Sequence, residues 1–224
     1  MKISRILSIC GLLAAGVYLL VVLIASTQFP GYSHASEYIS NLGAKGQPSA
    51  GIMNAGFVLV GLFMMLFGVS TFVGFKRNWA AVIGGIFLIA EGLTETLSGI
   101  FSCDPGCNAL NPTTDEMIHN TVGPLGFIFL IFAAILWALR FRKQSGWKSF
   151  WVFSLITGIV GIVLFGIFGM AVGTPTVGVW QRLLWATLFL WIALFSYRLW
   201  SKWEEVPFTL DEPVETESLE YSTP

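Results

Sequence analysis

The stretch AGIMNAGFVLVGLFMMLFGVSTFVGFKRNWAAVIGGIFLIAEGLTETLSGIF, residues 50–101, holds two apolar runs split by Lys76-Arg77-Asn78. Each run is long enough to cross about 30 Å of hydrocarbon, which takes roughly 20 residues as a helix. The basic break between them is short, so the chain leaves a bilayer and re-enters it at once. Working outward from this pair, stretches of the same kind recur, and the spans are expected at 6–28, 50–75, 79–101, 119–140, 149–172 and 179–203. Backbone groups in lipid have to be satisfied within the segment, which makes the spans helices. The short alternating segments of a membrane barrel are missing. The expected fold class is all-α: a polytopic six-transmembrane-helix bundle over residues 1–203.

Composition agrees with lipid as the solvent. Of the 224 residues 55% are hydrophobic and 11% charged, against about 25% charged in soluble domains. The net charge of −1 argues against nucleic-acid binding, which needs a basic surface. Ten of the twelve Lys and Arg gather on one side of the spans: Lys2, Arg5, Lys76, Arg77, Arg140, Arg142, Lys143, Lys148, Arg198 and Lys202. Only Lys45 and Arg182 fall on the other. By the positive-inside rule the ten-residue side is cytoplasmic, both termini included, in an inner (cytoplasmic) membrane. Trp79, Trp147, Trp200 and Trp203 stand beside the basic turns, where interfacial aromatic anchors are expected.

The apolar run after Lys2 and Arg5 is longer than that of a cleavable signal and lacks a small-residue cleavage site, so it is read as a retained first span. Residues 204–224 carry seven acidic residues and no basic one. They are expected to be a disordered acidic cytoplasmic tail, because such a composition cannot bury a core. Small residues at helical spacing mark helix contacts: Asn54, Gly61 and Gly68 in the second span, with Ser154/Gly158 and Gly169/Gly173 toward the fifth.

Charges within a span are costly and are candidates for function. Glu91, Thr94, Glu95 and Ser98 follow i, i+3, i+4, i+7 spacing and share one helix face, which has to point into the bundle. Counting about 1.5 Å per residue from Trp79, Glu91 falls just past the midplane and Glu95 one turn beyond. Counter-charges available on the outer side are Arg182, His119, His34 and Lys45. Three readings fit: Glu95 and Arg182 pair to pin two spans together, the groups form a polar-ligand site, or they serve a metal or proton relay.

In the loops, Cys103-Asp104-Pro105-Gly106-Cys107 sets two cysteines around a tight turn on the side where disulfides persist. A disulfide is expected. A zinc pair would need further ligands, for which only His34 and His119 are at hand. Cys10 is expected to be a small core residue. The segment Tyr32-Ser33-His34-Ala35-Ser36-Glu37-Tyr38-Ile39-Ser40-Asn41-Leu42-Gly43 reads as a short amphipathic stretch lying on the membrane face and ending at Gly43. It either caps the bundle mouth or offers His34 with Glu37 as an acid–base pair. The chain has no hydrolase or metalloprotease motif and no phosphate-cradling glycine loop. With two histidines in all, a three-histidine zinc site cannot be built.

Several of these segments carry a resemblance. Ile39-Ser40-Asn41-Leu42-Gly43 with Pro48, Met53-Asn54-Ala55-Gly56-Phe57, Cys103-Asp104-Pro105-Gly106-Cys107, His119 with Gly123, and Gln181-Arg182 resemble the bacterial and archaeal membrane-protein family of domain of unknown function 998. Asn41 stands where an acidic residue is common in that family. The first loop is also faintly similar to that of the Frag1/DRAM/Sfk1 group, six-span proteins linked to lipid handling. The main resemblance implies six helices and no established activity.

The expected function is binding of a lipid headgroup or similar amphiphile in a polar pocket of the outer half, without catalysis, cofactor or metal. Glu91, Glu95, His119, Arg182, Asn54 and His34 are the candidate ligand-binding residues, and membrane lipid is the expected partner. One alternative is a membrane-embedded hydrolase or transferase acting on lipid, with His119 or Glu95 as general base and Ser40 or Ser98 as nucleophile. The other is a proton- or cation-coupled transporter using Glu91 and Glu95.

Overall fold

Each apolar run closes its backbone hydrogen bonds within itself, and the computed structural model, which describes residues 2–75, 78–142, 144 and 146–203, is all-helical among them. Lys76, Arg77, Lys143 and the acidic tail 204–224 lie outside the described residues. The helices are α1 Lys2–Leu7, α2 Cys10–Gln28, α3 Ala50–Gly74, α4 Trp79–Ile100, α5 Thr114–Phe141, α6 Lys148–Met170 and α7 Val177–Ser201, with a 3-10 helix at Ile39–Gly43. Because α1 and α2 run on as one span, six helices among the described residues are long and apolar enough to cross a membrane.

The spans form a closed ring in chain order, α2 against α3, then α4, α5, α6 and α7, which returns to α2. The closest approach joins α3 to α4 through glycine. A Cβ on Gly61 would lie 2.4 Å from the Gly92 carbonyl oxygen, and one on Gly92 would lie 2.5 Å from that of Gly61. Gly68 faces Ile89 and the Gly85 carbonyl in the same way, and Gly99 faces the Asn54 carbonyl. The seven-residue series 54, 61, 68 therefore meets a second one, 85, 92, 99, on α4. Gly158 packs against Ile135, whereas Gly169 and Gly173 meet open space, so the second small-residue pair makes no helix contact.

The first span steps at Ser8 and Ile9, and Ser196 of α7 holds the step. Its hydroxyl donates to the Ser8 carbonyl at 2.6 Å and accepts from the Leu12 N–H at 2.8 Å. Ser196 is fully buried, so its removal takes the donor from the Ser8 carbonyl and leaves the Leu12 N–H only its bond to the Ile9 carbonyl at 3.0 Å. Ser196→Ala is expected to cost about 1–3 kcal/mol, read as a lowered Tm of the detergent-extracted protein. An unchanged Tm would mean that packing alone holds the step.

Aromatic rings fill the end that carries the basic residues. Trp147 stacks on Phe141 at 4.1 Å, and Trp137, Phe75 and Phe195 pack around them. Trp147 and Trp203 are thus buried, while Trp79 and Trp200 are exposed as interfacial anchors should be. Arg140 is buried too, over the Phe75 ring at 5.1 Å and donating to Gln144 at 2.7 Å. This plug closes one end of the ring; the open space lies at the other, beneath the loops.

Those loops are tied to the spans. The 3-10 helix is buried at Ile39, Asn41, Leu42 and Gly43: it sits in the bundle mouth instead of lying on the membrane face, because its apolar side finds α2, α3 and α7 beneath it. Asn41 donates to Glu37 at 2.6 Å and accepts from the Gly106 N–H at 2.9 Å. An amide can do both; an acidic residue would only accept, and would repel Glu37.

Cys103 and Cys107 stand as a disulfide pair, with Cα atoms 5.0 Å apart. Cys10 is free and buried in α2.

Candidate functional site

The glycine series on α4 decides where its acidic face points. With Gly85, Gly92 and Gly99 turned to α3, the face bearing Glu91, Thr94, Glu95 and Ser98 turns into the bundle, and all four are buried. Glu91 is fully enclosed, and neither carboxyl oxygen has a hydrogen-bond partner among the described residues. Glu95 is 6% exposed, and its Oε1 is likewise without one.

Glu95 lines a cavity of about 340 Å³ that opens at the loop end of the ring. Its polar wall is built by Glu95 and Ser98 of α4, His119 and Asn120 of α5, Gln181 of α7, and Ser40 and Asn108 of the loops. Its apolar wall is aromatic: Tyr18 of α2, Phe57 of α3, Phe127 of α5, Phe168 of α6 and Trp185 of α7. Among the lining residues Asn108, Asn120, Pro124 and Val172 are exposed, which puts the mouth between the second loop with the start of α5 and the end of α6. Pro124 has no N–H for the carbonyl four residues earlier, so the Asn120 carbonyl at that mouth is left without its helical donor.

His119 is oriented by the end of α4. The last carbonyls of a helix lack partners within it, and His119 Nδ1 lies 3.1 Å from the Ser98 oxygen and 3.0 Å from the Phe101 oxygen. Carbonyls only accept, so Nδ1 carries the proton. In the neutral ring Nε2 then keeps its lone pair. Span four starts earlier than hydropathy suggests: the Thr113 side chain caps it by accepting from the Glu116 N–H at 3.4 Å, with Asp115 and Glu116 in the favourable first turn. His119 consequently sits more than a turn inside α5.

The other candidates go elsewhere. Arg182 forms no ion pair with Glu95. Its Nη1 donates to the carbonyls of Glu37 at 2.9 Å and Gly178 at 3.0 Å, its Nη2 donates to the Tyr32 hydroxyl, and the guanidinium lies over the Tyr32 ring. The expected pin between spans three and six is therefore a strap from span six to the first loop. Asn54 bridges the Gly43 carbonyl at 3.0 Å and the Ser102 hydroxyl at 2.8 Å. His34 is exposed, its ring edge-on to Tyr32, while Glu37 accepts from Ser33 and Asn41, so the acid–base pairing of His34 with Glu37 does not form. Burial pushes the Tyr32 hydroxyl up to about 12 and, with Arg182 nearby, lowers His34 from its usual value. Lys45 pairs with Asp104 at 3.2 Å and Asp115 at 2.9 Å.

Beside the cavity the second loop is held by two carboxylates. Asp104 accepts from the Thr113 N–H at 2.8 Å and hydroxyl at 2.9 Å. The Thr113 N–H, before every other cause, holds the Asp104 carboxyl down at about 2. A depressed folded value stabilises the ionised form, so the contact is fully present above the free value near 3.8 and is lost as pH falls through about 2. Protection of the Thr113 amide, its exchange taken relative to the intrinsic rate at each pH, is expected to hold at pH 4 and to fall between pH 4 and 2. Loss of protection already at pH 5 would contradict this anchoring.

Tyr18, Trp185 and Phe127 were not marked as site residues by the sequence, although a tyrosine in an otherwise apolar first span was a usable signal. Tyr18 packs on Trp185 at 5.0 Å and Phe189 at 4.8 Å, and its buried hydroxyl has no partner among the described residues. Gln181 stood out only for the family likeness; it accepts from the Ile39 N–H at 2.7 Å and so fixes the 3-10 helix over the cavity.

Comparison with known proteins gives one family: the model described as "Protein of unknown function (DUF998)" matches residues 12–198. No curated protein and no solved structure matches.

Proposed function

The chain belongs to the DUF998 family of proteins of unknown function, and for this member we propose that the cavity at the loop end binds the head of a membrane lipid or similar amphiphile. The supporting observation is the cavity's division into a polar wall at Glu95, Ser98, His119 and Gln181 and an aromatic wall at Phe57, Phe127, Phe168 and Trp185. Pockets that hold a mostly apolar ligand by a few placed polar groups have this make-up. Arg5, Arg140, Arg142, Lys148, Arg198 and Lys202 all lie toward the opposite end. This supports an orientation in a cytoplasmic membrane with that end inside and the cavity in the outer half.

Gly123 gives a clean test, because it lines the cavity and a Cβ there meets nothing within 4 Å. Gly123→Leu should fold normally and fill the space. Native mass spectrometry of gently extracted protein should show a stoichiometric amphiphile on the wild type and none on this variant. Equal adducts on both, or none on the wild type, would sink the reading.

One observation favours a second reading, a membrane-embedded hydrolase or transferase. His119 keeps Nε2 as an acceptor, and the Ser98 and Ser40 residues line the same cavity, so a general base and candidate nucleophiles share one space. Turnover of a bound lipid ester, lost in His119→Ala and in either serine variant, would favour catalysis. An unaltered lipid recovered after long incubation would leave binding alone.

A further inference from the structure

The cavity's charge inventory specifies the head group. Glu95 is more than nine-tenths buried and lines the cavity, with an oxygen that no donor among the described residues reaches. No Lys or Arg is among the described lining residues. The two cations on this side are spoken for: Arg182 by the first loop and Lys45 by Asp104 and Asp115. His119 spends its N–H on the end of α4 and offers the cavity only a lone pair. The rest of the polar wall, Ser40, Ser98, Asn108, Asn120 and Gln181, carries no charge, and the wall facing it is aromatic, a surface that attracts cations.

We infer that the cavity receives an ammonium head carried on an apolar chain, with Glu95 as its counter-ion and His119 Nε2 as a further acceptor. This rests on the amphiphile-site reading above and narrows it. A buried carboxylate without a partner is costly, and a ligand ammonium supplies the missing positive charge and donors together. A phosphate or carboxylate head would find no cation among the described lining residues to balance its own charge. A neutral head brings no positive charge to hold the carboxyl in its ionised form. The aromatic walls formed by Tyr18, Phe57, Phe127 and Trp185 hold the ammonium's flanking methylenes and chain.

The test titrates the full chain, in neutral maltoside micelles, with dodecylamine, dodecyl phosphate and dodecanol, which share one chain length. Calorimetry should show one-to-one binding of the amine about tenfold or more tighter than of the phosphate or the alcohol. Glu95→Gln should bring the amine down to the level of the alcohol, and Gly123→Leu should remove binding of all three. A phosphate that binds as well as the amine on the wild type overturns the inference but leaves the amphiphile site standing. So does an amine preference that survives in a folded Glu95→Gln variant. If that variant does not fold, the wild-type ranking alone decides. Failure of every probe on the wild type overturns the site reading and this inference with it. The ammonium's source is separated by native mass spectrometry from nanodiscs of phosphatidylethanolamine and phosphatidylglycerol. Retention of phosphatidylethanolamine alone supports a membrane aminolipid. Retention of neither, with the amine bound in micelles, supports a free amphiphilic amine.

Discussion

Gly92→Leu is expected to leave no folded monomer after extraction. A Cβ at Gly92 would sit 2.5 Å from the Gly61 carbonyl oxygen and 2.7 Å from the Met65 nitrogen, both of them backbone atoms that cannot rotate away. The two helices would have to separate along the whole 85, 92, 99 series, which forfeits the close contact that stands in for a hydrophobic drive inside lipid. Overpacking a core usually costs about 1–3 kcal/mol. A rigid clash in the middle of the tightest helix pair belongs at or above that range, against a total stability of roughly 5–15 kcal/mol. Gly166→Leu is the control, since a Cβ there meets nothing within 4 Å. Size-exclusion chromatography should give a monodisperse peak for Gly166→Leu and aggregate for Gly92→Leu. A monodisperse Gly92 variant would show that the seam is not what aims Glu91 and Glu95.

Glu116→Ala is expected to unfold the second loop while leaving the spans in place. Glu116 is fully buried, and its carboxylate accepts from the Asp104 N–H at 3.2 Å, the Ala109 N–H at 3.0 Å and the Asn120 amide at 3.3 Å. Hydrogen bonds to a charged acceptor contribute about 1.5–3 kcal/mol each, and truncation also strands buried donors. The combined loss of several kcal/mol exceeds what a short loop can absorb. Asn108, which lines the cavity, belongs to the same segment. Amide exchange at Asp104 and Ala109 should rise by about two orders of magnitude or more, roughly the factor that 3 kcal/mol gives, with helical circular dichroism unchanged. Protection that persists at both amides would place the loop's anchor on Asp104 and the cysteine pair instead.

Much of this molecule is legible without coordinates because lipid imposes simple rules. Length and hydropathy mark the spans, and 3.6-residue spacing puts Glu91, Thr94, Glu95 and Ser98 on one face. Glycines at 85, 92 and 99 carried the same seven-residue signal as 54, 61 and 68 and were as readable. Other features resist that kind of reading. In a soluble helix apolar means inward, but a lipid-facing residue is as apolar as a core one, so hydropathy cannot say that Trp147 and Trp203 are buried while Trp79 is not. For the same reason Phe127 and Trp185 carried no mark as cavity walls.

Residue types and their order along the chain thus determined six helices, the inward acidic face and the polar groups clustered at one end, since each follows from local periodicity and the cost of charge in hydrocarbon. Only the tertiary structure decided how those groups are shared out. Arg182 went to the Glu37 and Gly178 carbonyls and the Tyr32 hydroxyl, and Lys45 to the loop carboxylates. His119 went to the carbonyls that end α4, which left Glu95 without a cation in its own cavity. The physical reason is competition: each cation and donor has several acceptors within reach in sequence terms, and the folded loops place particular ones against it.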